Sequence, residues 1–126
     1  MTLAAAAAFA TSPTTITGLR TLRVKETDRI DATRDELARL SVTVQTTHDT
    51  MTIHPPENAP QIDPALYHDG LETYDDHRMA MSLALVAMRT PGVAIKDPAC
   101  VAKTYPSFFN DLATIYDALI APTSRF

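Results

Sequence analysis

The sequence predicts an α/β fold in a single domain. Three observations carry that expectation. β-branched segments alternate with helical periods along the 126 residues. The order of elements starts again after a proline-rich break. The composition, 45% hydrophobic and 21% charged, is that of a globular chain with one real core. Alternation of strands and helices implies at least some parallel pairing. At this length folding buries about two thirds of the extended chain's surface.

The run Ala4 to Ala8, with Phe9 and Ala10, predicts a short buried helix, because alanine is the strongest helix former. No basic residue precedes this short apolar run, which argues against an export signal. Pro13 and the β-branched residues after it predict a strand from Thr14 to Thr17. From Asp28 to Leu40, Ile30, Thr33, Leu37 and Leu40 step by a helical period, with Asp31, Arg34, Asp35 and Arg39 on the opposite face. Thr27 is the expected N-cap. Ser41 follows the helix, where a left-handed cap costs up to about 1 kcal/mol relative to glycine or gives way to a cap of another form.

Val42, Val44, Met51 and Ile53 alternate with polar residues about His48-Asp49, which predicts a hairpin with strands at 42–47 and 50–54. Pro55, Pro56, Pro60 and Pro64 make 55–70 a surface loop. An extended piece from Leu71 to Tyr74 leads into a helix from His77 to Arg89 that is apolar on every side and therefore expected to be sandwiched. Gly92 to Lys96 reads as a buried strand. Pro106 opens a last helix, in which Phe108, Phe109, Leu112, Ile115, Tyr116 and Leu119 keep the period. The order reads as one and a half copies of a unit: an αβαββ part over 1–54, the loop 55–70, a βαβα part over 71–120, and a tail at 121–126.

Charge and residue usage exclude several classes. A formal net charge of −4 with no basic stripe argues against a nucleic-acid partner. Apolar runs stop short of membrane-spanning length. Cys100 is the only cysteine, so no intrachain disulfide forms, which suits a reducing cytoplasm. His48, His54, His68 and His77 lack the close same-face spacing of a zinc site.

The candidate chemistry is cationic. Arg29, Arg78 and Lys103 stand at or near three predicted helix starts, where unpaired N–H groups already carry partial positive charge. Cations there need an anion to answer them, and under helices covering a largely parallel sheet the three would converge on one small anionic ligand. The competing reading is structural: Asp28, Asp75 and Asp76 pair with Arg29 and Arg78, His77 is a packed histidine, and Glu26 beside Lys25 is solvated charge.

Three strings bear on that choice. They are Arg23-Val24-Lys25-Glu26-Thr27-Asp28-Arg29, then Thr73-Tyr74-Asp75-Asp76-His77-Arg78-Met79-Ala80-Met81, and Asp97-Pro98-Ala99-Cys100-Val101-Ala102-Lys103-Thr104-Tyr105-Pro106. In order and spacing they resemble the C-terminal third of the 5-enolpyruvylshikimate-3-phosphate synthase family, from about Met1 to Ile120. The resemblance implies part of one lobe of the enolpyruvyl transferase fold, an inside-out α/β barrel of βαβαββ units. It implies carboxyvinyl transfer from phosphoenolpyruvate to the 5-hydroxyl of shikimate 3-phosphate, with no metal or organic cofactor.

By the same resemblance Arg29, Arg78 and Lys103 hold phosphoenolpyruvate, and Lys25 contacts shikimate 3-phosphate near the reacting hydroxyl. Glu26 shuttles protons to and from the methylene carbon, and His77 supports the site. Thr21 stands where many relatives carry an asparagine that contacts shikimate 3-phosphate. The family's catalytic aspartate falls a few residues ahead of the position of Met1, and most contacts to shikimate 3-phosphate come from the other lobe. Three classes follow as expectations. The chain is a part of the synthase, inactive alone and completed by a separate N-terminal portion; or a non-catalytic remnant that binds small anions; or a module that self-associates through an open sheet edge.

Overall fold

The computed structural model describes residues 1–120. The expected tail at 121–126 lies outside the described residues. The elements are α1 (Thr2–Ala7), β1 (Thr14–Ile16), a 3-10 helix at Arg20–Val24, α2 (Arg29–Ala38), β2 (Thr43–Thr46), β3 (Met51–His54), α3 (His77–Ala87), a second 3-10 helix at Pro98–Lys103, and α4 (Phe108–Ile120).

The three strands form one sheet in the order β1-β3-β2, and both pairings are antiparallel. Thr14 faces Ile53 and Ile16 faces Met51, while Val44 faces Ile53 from the other side. The expected parallel pairing shrinks to a single bridge between Leu71 and Ile95. The reason is local. A turn as short as His48-Asp49 can join only antiparallel strands, and β1 pairs with the hairpin rather than across a helical crossover.

Val44, Met51 and Ile53 turn one sheet face inward, against Ile30 and Leu37 of α2 and Leu40 just beyond its end. Leu71, Met79, Leu83 and Val86 continue the same core, and α1 packs on α3 through Ala4, Ala5, Ala7 and Ala8. Small side chains on α1 let the two helices approach closely.

Several expectations need correction. Asp28, not Thr27, caps α2: its ionised carboxylate accepts from the Ile30 and Asp31 amides at 3.1 and 3.2 Å. Ser41 takes the left-handed conformation at φ +61, with Ser41 N donating to Ala38 O and Val42 N to Leu37 O, both at 3.1 Å, so a Schellman cap forms on a non-glycine residue. The segment 92–96 is not a buried strand. Only Ile95 is bridged, Ala94 is exposed, and the left-handed Gly92 and Asp97 bound the extended stretch on both sides.

Leu71 to Tyr74 likewise ends at once, because Tyr74 and Asp75 both have positive φ. The segment 55–70 carries no helix or strand, and Pro60 and Gly70 are buried in it. The α3 helix is buried on most sides but leaves Leu85 exposed. Pro106 precedes α4 by two residues, and the outer turns of α4 leave Ile115 and Leu119 exposed. No helix among the described residues is long and apolar enough to cross a membrane.

Candidate active site

The site is built where α2 and α3 begin. Asp76 caps α3, accepting from the Arg78 amide at 2.9 Å and the Met79 amide at 3.4 Å. The same carboxylate is fully buried and takes Arg29 in a two-point grip, Nε to Oδ2 at 2.7 Å and Nη2 to Oδ1 at 3.1 Å. One side chain thus caps one helix and ties down the first residue of the other. Arg29 Nη2 also donates to Glu26 Oε2 at 2.7 Å, and the second oxygen of Glu26 accepts Lys103 Nζ at 2.9 Å. The result is a continuous charge-assisted chain from Asp76 through Arg29 and Glu26 to Lys103.

This chain sets the protonation states. The hydrogen bond from Lys103, aided by the Glu26 backbone and by Arg29, holds the Glu26 carboxyl far below its ordinary 4.5, at about 2. The hydrogen bond to Asp76 pushes the Arg29 guanidinium further up, so it remains charged although it is only 4% exposed.

An open cleft of about 310 Å³ is lined by Lys25, Glu26, Arg29, His77, Arg78, Lys103 and Thr104. Six of the seven residues singled out in the sequence therefore meet on one surface. Thr21, the seventh, sits exposed on the Arg20–Val24 helix and does not line it. A neighbouring opening of about 380 Å³ shares Arg29, His77, Arg78 and Thr104 and extends to Leu22 and Met81. A larger one of about 460 Å³, between the end of α1 and the proline-rich loop, gathers no such cluster.

Cationic side chains outnumber carboxylates in the cleft. Arg78 is exposed and makes no ion pair among the described residues. His77 is buried, and its Nδ1 has no hydrogen-bond partner among the described residues.

The helix-start argument holds for Arg29 and Arg78, the first and second residues of their helices, but not for Lys103. That lysine ends the Pro98–Lys103 helix, five residues ahead of α4. Arg29 is answered inside the protein, by Asp76 and Glu26, so the structural alternative describes its resting partner correctly. Asp28 pairs instead with Arg23, at 2.9 Å. Arg23 also reaches the backbone carbonyls of Thr47 and His48, pinning the hairpin tip to the start of α2. Thr104 lines the cleft without a distinguishing signal in the sequence, and Asp76 is a helix cap as well as an ion-pair partner. The signal for Asp76 was present, since an aspartate directly before an apolar helix is a strong N-cap. Among the described residues no group of three His, Cys, Asp or Glu side chains is arranged to hold a metal ion.

An α/β chain that sets a cationic cleft at two adjacent helix starts has the architecture of part of an enolpyruvyl transferase lobe. The family model for EPSP synthase (3-phosphoshikimate 1-carboxyvinyltransferase) matches residues 1–112, and the chain belongs to that family. It is 48% identical over 115 residues to the 3-phosphoshikimate 1-carboxyvinyltransferase of Laribacter hongkongensis, covering 91% of this chain and 25% of that protein. It is 44% identical over 119 residues to that of Aeromonas salmonicida, covering 94% and 26%. The structure of EPSP synthase from Acinetobacter baumannii superposes with a TM-score of 0.75 at 34% identity, over 91% of this chain and 26% of that one. The chain spans about a quarter of the length of the curated relatives it matches.

Proposed function

We propose that this chain supplies the phosphoenolpyruvate-holding face of a cytoplasmic 3-phosphoshikimate 1-carboxyvinyltransferase. The observation that supports this reading above all others is the meeting of Lys25, Glu26, Arg29, His77, Arg78 and Lys103 around one cleft. Phosphoenolpyruvate carries a phosphate and a carboxylate. Arg78, with no ion-pair partner among the described residues, and Lys103, on the exposed rim, are the first groups to meet them. Arg29, gripped from behind by Asp76, presents a fixed cation that costs no reorganisation.

In the reaction C3 of phosphoenolpyruvate gains a proton and the 5-hydroxyl oxygen of shikimate 3-phosphate bonds to C2. The hydroxyl proton leaves to a base. The tetrahedral intermediate then loses a proton from the former methylene carbon as the bond from C2 to the phosphate oxygen breaks. Glu26 serves as the proton shuttle at that carbon, with Lys25 beside it on the shikimate side. Paired with Lys103, Glu26 is held ionised and can only accept. An incoming anion that takes Lys103 for itself loosens that pair and lets Glu26 hold a proton. Bridging two cations, Glu26 stands in the free chain for the anion the substrate brings.

Catalysis on this reading needs the second lobe of the fold as well. The test is phosphate release from phosphoenolpyruvate plus shikimate 3-phosphate, with this chain alone and mixed with an N-terminal portion of a family member that ends after the catalytic aspartate. Release from the mixture and none from the chain alone is expected. Silence in both, with the chain shown to be folded, overturns the catalytic role and leaves small-anion binding as the function.

A further inference from the structure

Outside the cleft the most unusual group is Glu36. It lies on α2 two turns beyond Arg29, is 0% exposed, and has no part in the chemistry above. Its two oxygens point at one short segment: Oε1 accepts from the Tyr74 hydroxyl at 2.7 Å and Oε2 from the Glu72 amide at 2.9 Å. Arg39 lies beside it, with Nε at 3.5 Å from Oε2, and donates to the Gly70 carbonyl at 3.3 Å. Burying a carboxylate is unfavourable unless its bonds are used, and both hydrogen bonds that Glu36 accepts come from this segment, at Glu72 and Tyr74.

That segment contains the strained part of the chain. Tyr74 and Asp75 are consecutive non-glycine residues in the left-handed region, at φ +56 and +52. Such a pair persists only where its surroundings over-determine it, and strain of this kind concentrates at functional sites. The next three residues are Asp76, His77 and Arg78. Asp76 N closes the turn on Thr73 O at 2.9 Å, and from there Asp76 reaches Arg29.

We propose that Glu36 and Tyr74 are positioning residues for the anion cleft. Anchored on the same helix as Arg29, Glu36 holds Tyr74 and so fixes the left-handed turn that sets Asp76, His77 and Arg78 against Arg29. The α2 helix therefore acts as a ruler between the two halves of the site: one end carries the cation, and the other fixes where its partners stand. Partial burial and the bond to Glu36 raise the tyrosine's pKa, so the phenol remains a donor throughout the neutral range.

The consequence for ligand binding rests on the function proposed above, so the test separates the two. Phosphoenolpyruvate is titrated into the isotopically labelled chain and into Tyr74→Phe, Glu36→Gln, Arg78→Ala and the core control Ile53→Val, with amide and Arg Nε–H signals followed by NMR. Tyr74→Phe is expected to bind roughly five- to tenfold more weakly. Ile53→Val is expected to bind as the parent does, and equal weakening in Ile53→Val would mark the loss in Tyr74→Phe as merely structural and overturn the positioning role. Tyr74→Phe and Glu36→Gln binding as the parent does, while Arg78→Ala loses binding, overturns the positioning role alone. Should the parent bind nothing, the proposed function fails. Positioning is then decided by the signals of Asp76, His77, Arg78 and Arg29 Nε: displacement in Tyr74→Phe upholds it, and coincidence with the parent overturns it.

Discussion

Replacing Asp76 by asparagine tests the keystone of the site. The substitution keeps the shape and an oxygen that still accepts from the Arg78 amide, but it removes the charge opposite an arginine that is 4% exposed. Breaking a buried pair by deleting one partner costs about 3–5 kcal/mol. Glu26 still accepts from Arg29 Nη2 at 2.7 Å, which places the loss at the lower end, about 3 kcal/mol. Asp76→Ala also forfeits the cap and adds about 1 kcal/mol.

Against a typical total of roughly 0.05–0.15 kcal/mol per residue, either loss is a large fraction of the whole. The assay is urea unfolding followed by circular dichroism, with the change read from the midpoint at constant slope. The double variant Arg29→Met/Asp76→Asn should recover part of the loss, because no unpaired charge is then left inside. Asp76→Asn within about 1 kcal/mol of the parent would refute the claim that this pair organises the two helix starts.

Ser41→Gly should stabilise the chain by up to about 1 kcal/mol in the same assay, because Ser41 already holds φ +61 in the Schellman cap. Glu26 should titrate near 2 by carbon NMR and move back toward 4.5 in Lys103→Met. Its folded value lies below its unfolded one, so the pair contributes stability above pH 4.5 that is lost as the pH falls toward 2. Gly70→Ala should weaken the parallel bridge and cost about 1–3 kcal/mol, since a Cβ there meets Lys96 Cγ at 2.9 Å and the Ala94 carbonyl oxygen at 3.3 Å. Faster amide exchange at Leu71 and Lys96 is the readout, their two backbone bonds being 2.9 Å long.

The helices and the hairpin were legible because their patterns are local. Ile30, Leu37 and Leu40 step along α2 and its C-terminal cap, and Val44, Met51 and Ile53 alternate about the turn, and each set is buried as one face. Pairing was less legible. Nothing in Thr14 to Ile16 says that its neighbour is β3, and the segment around Ile95 has strand-like residues but only Leu71 to pair with. The cleft was legible from the charged residues within three strings, yet which carboxylate answers which cation was not. As partners for a cation, Asp28, Asp75 and Asp76 look alike in sequence, although the place of Asp76 before an apolar helix marks it as a cap. Only the left-handed turn at Tyr74 and Asp75, held by a glutamate nearly forty positions earlier, brings Asp76 rather than its neighbours to Arg29.

The central claim is that the cleft between the starts of α2 and α3 holds a small organic phosphate. Titrating phosphoenolpyruvate into the labelled chain tests it most directly. The account predicts saturable shifts confined to residues around Lys25 to Arg29, His77, Arg78 and Lys103 to Thr104, abolished in Arg78→Ala/Lys103→Ala. Equal binding by that double variant, or shifts scattered over other faces of the chain, would contradict it.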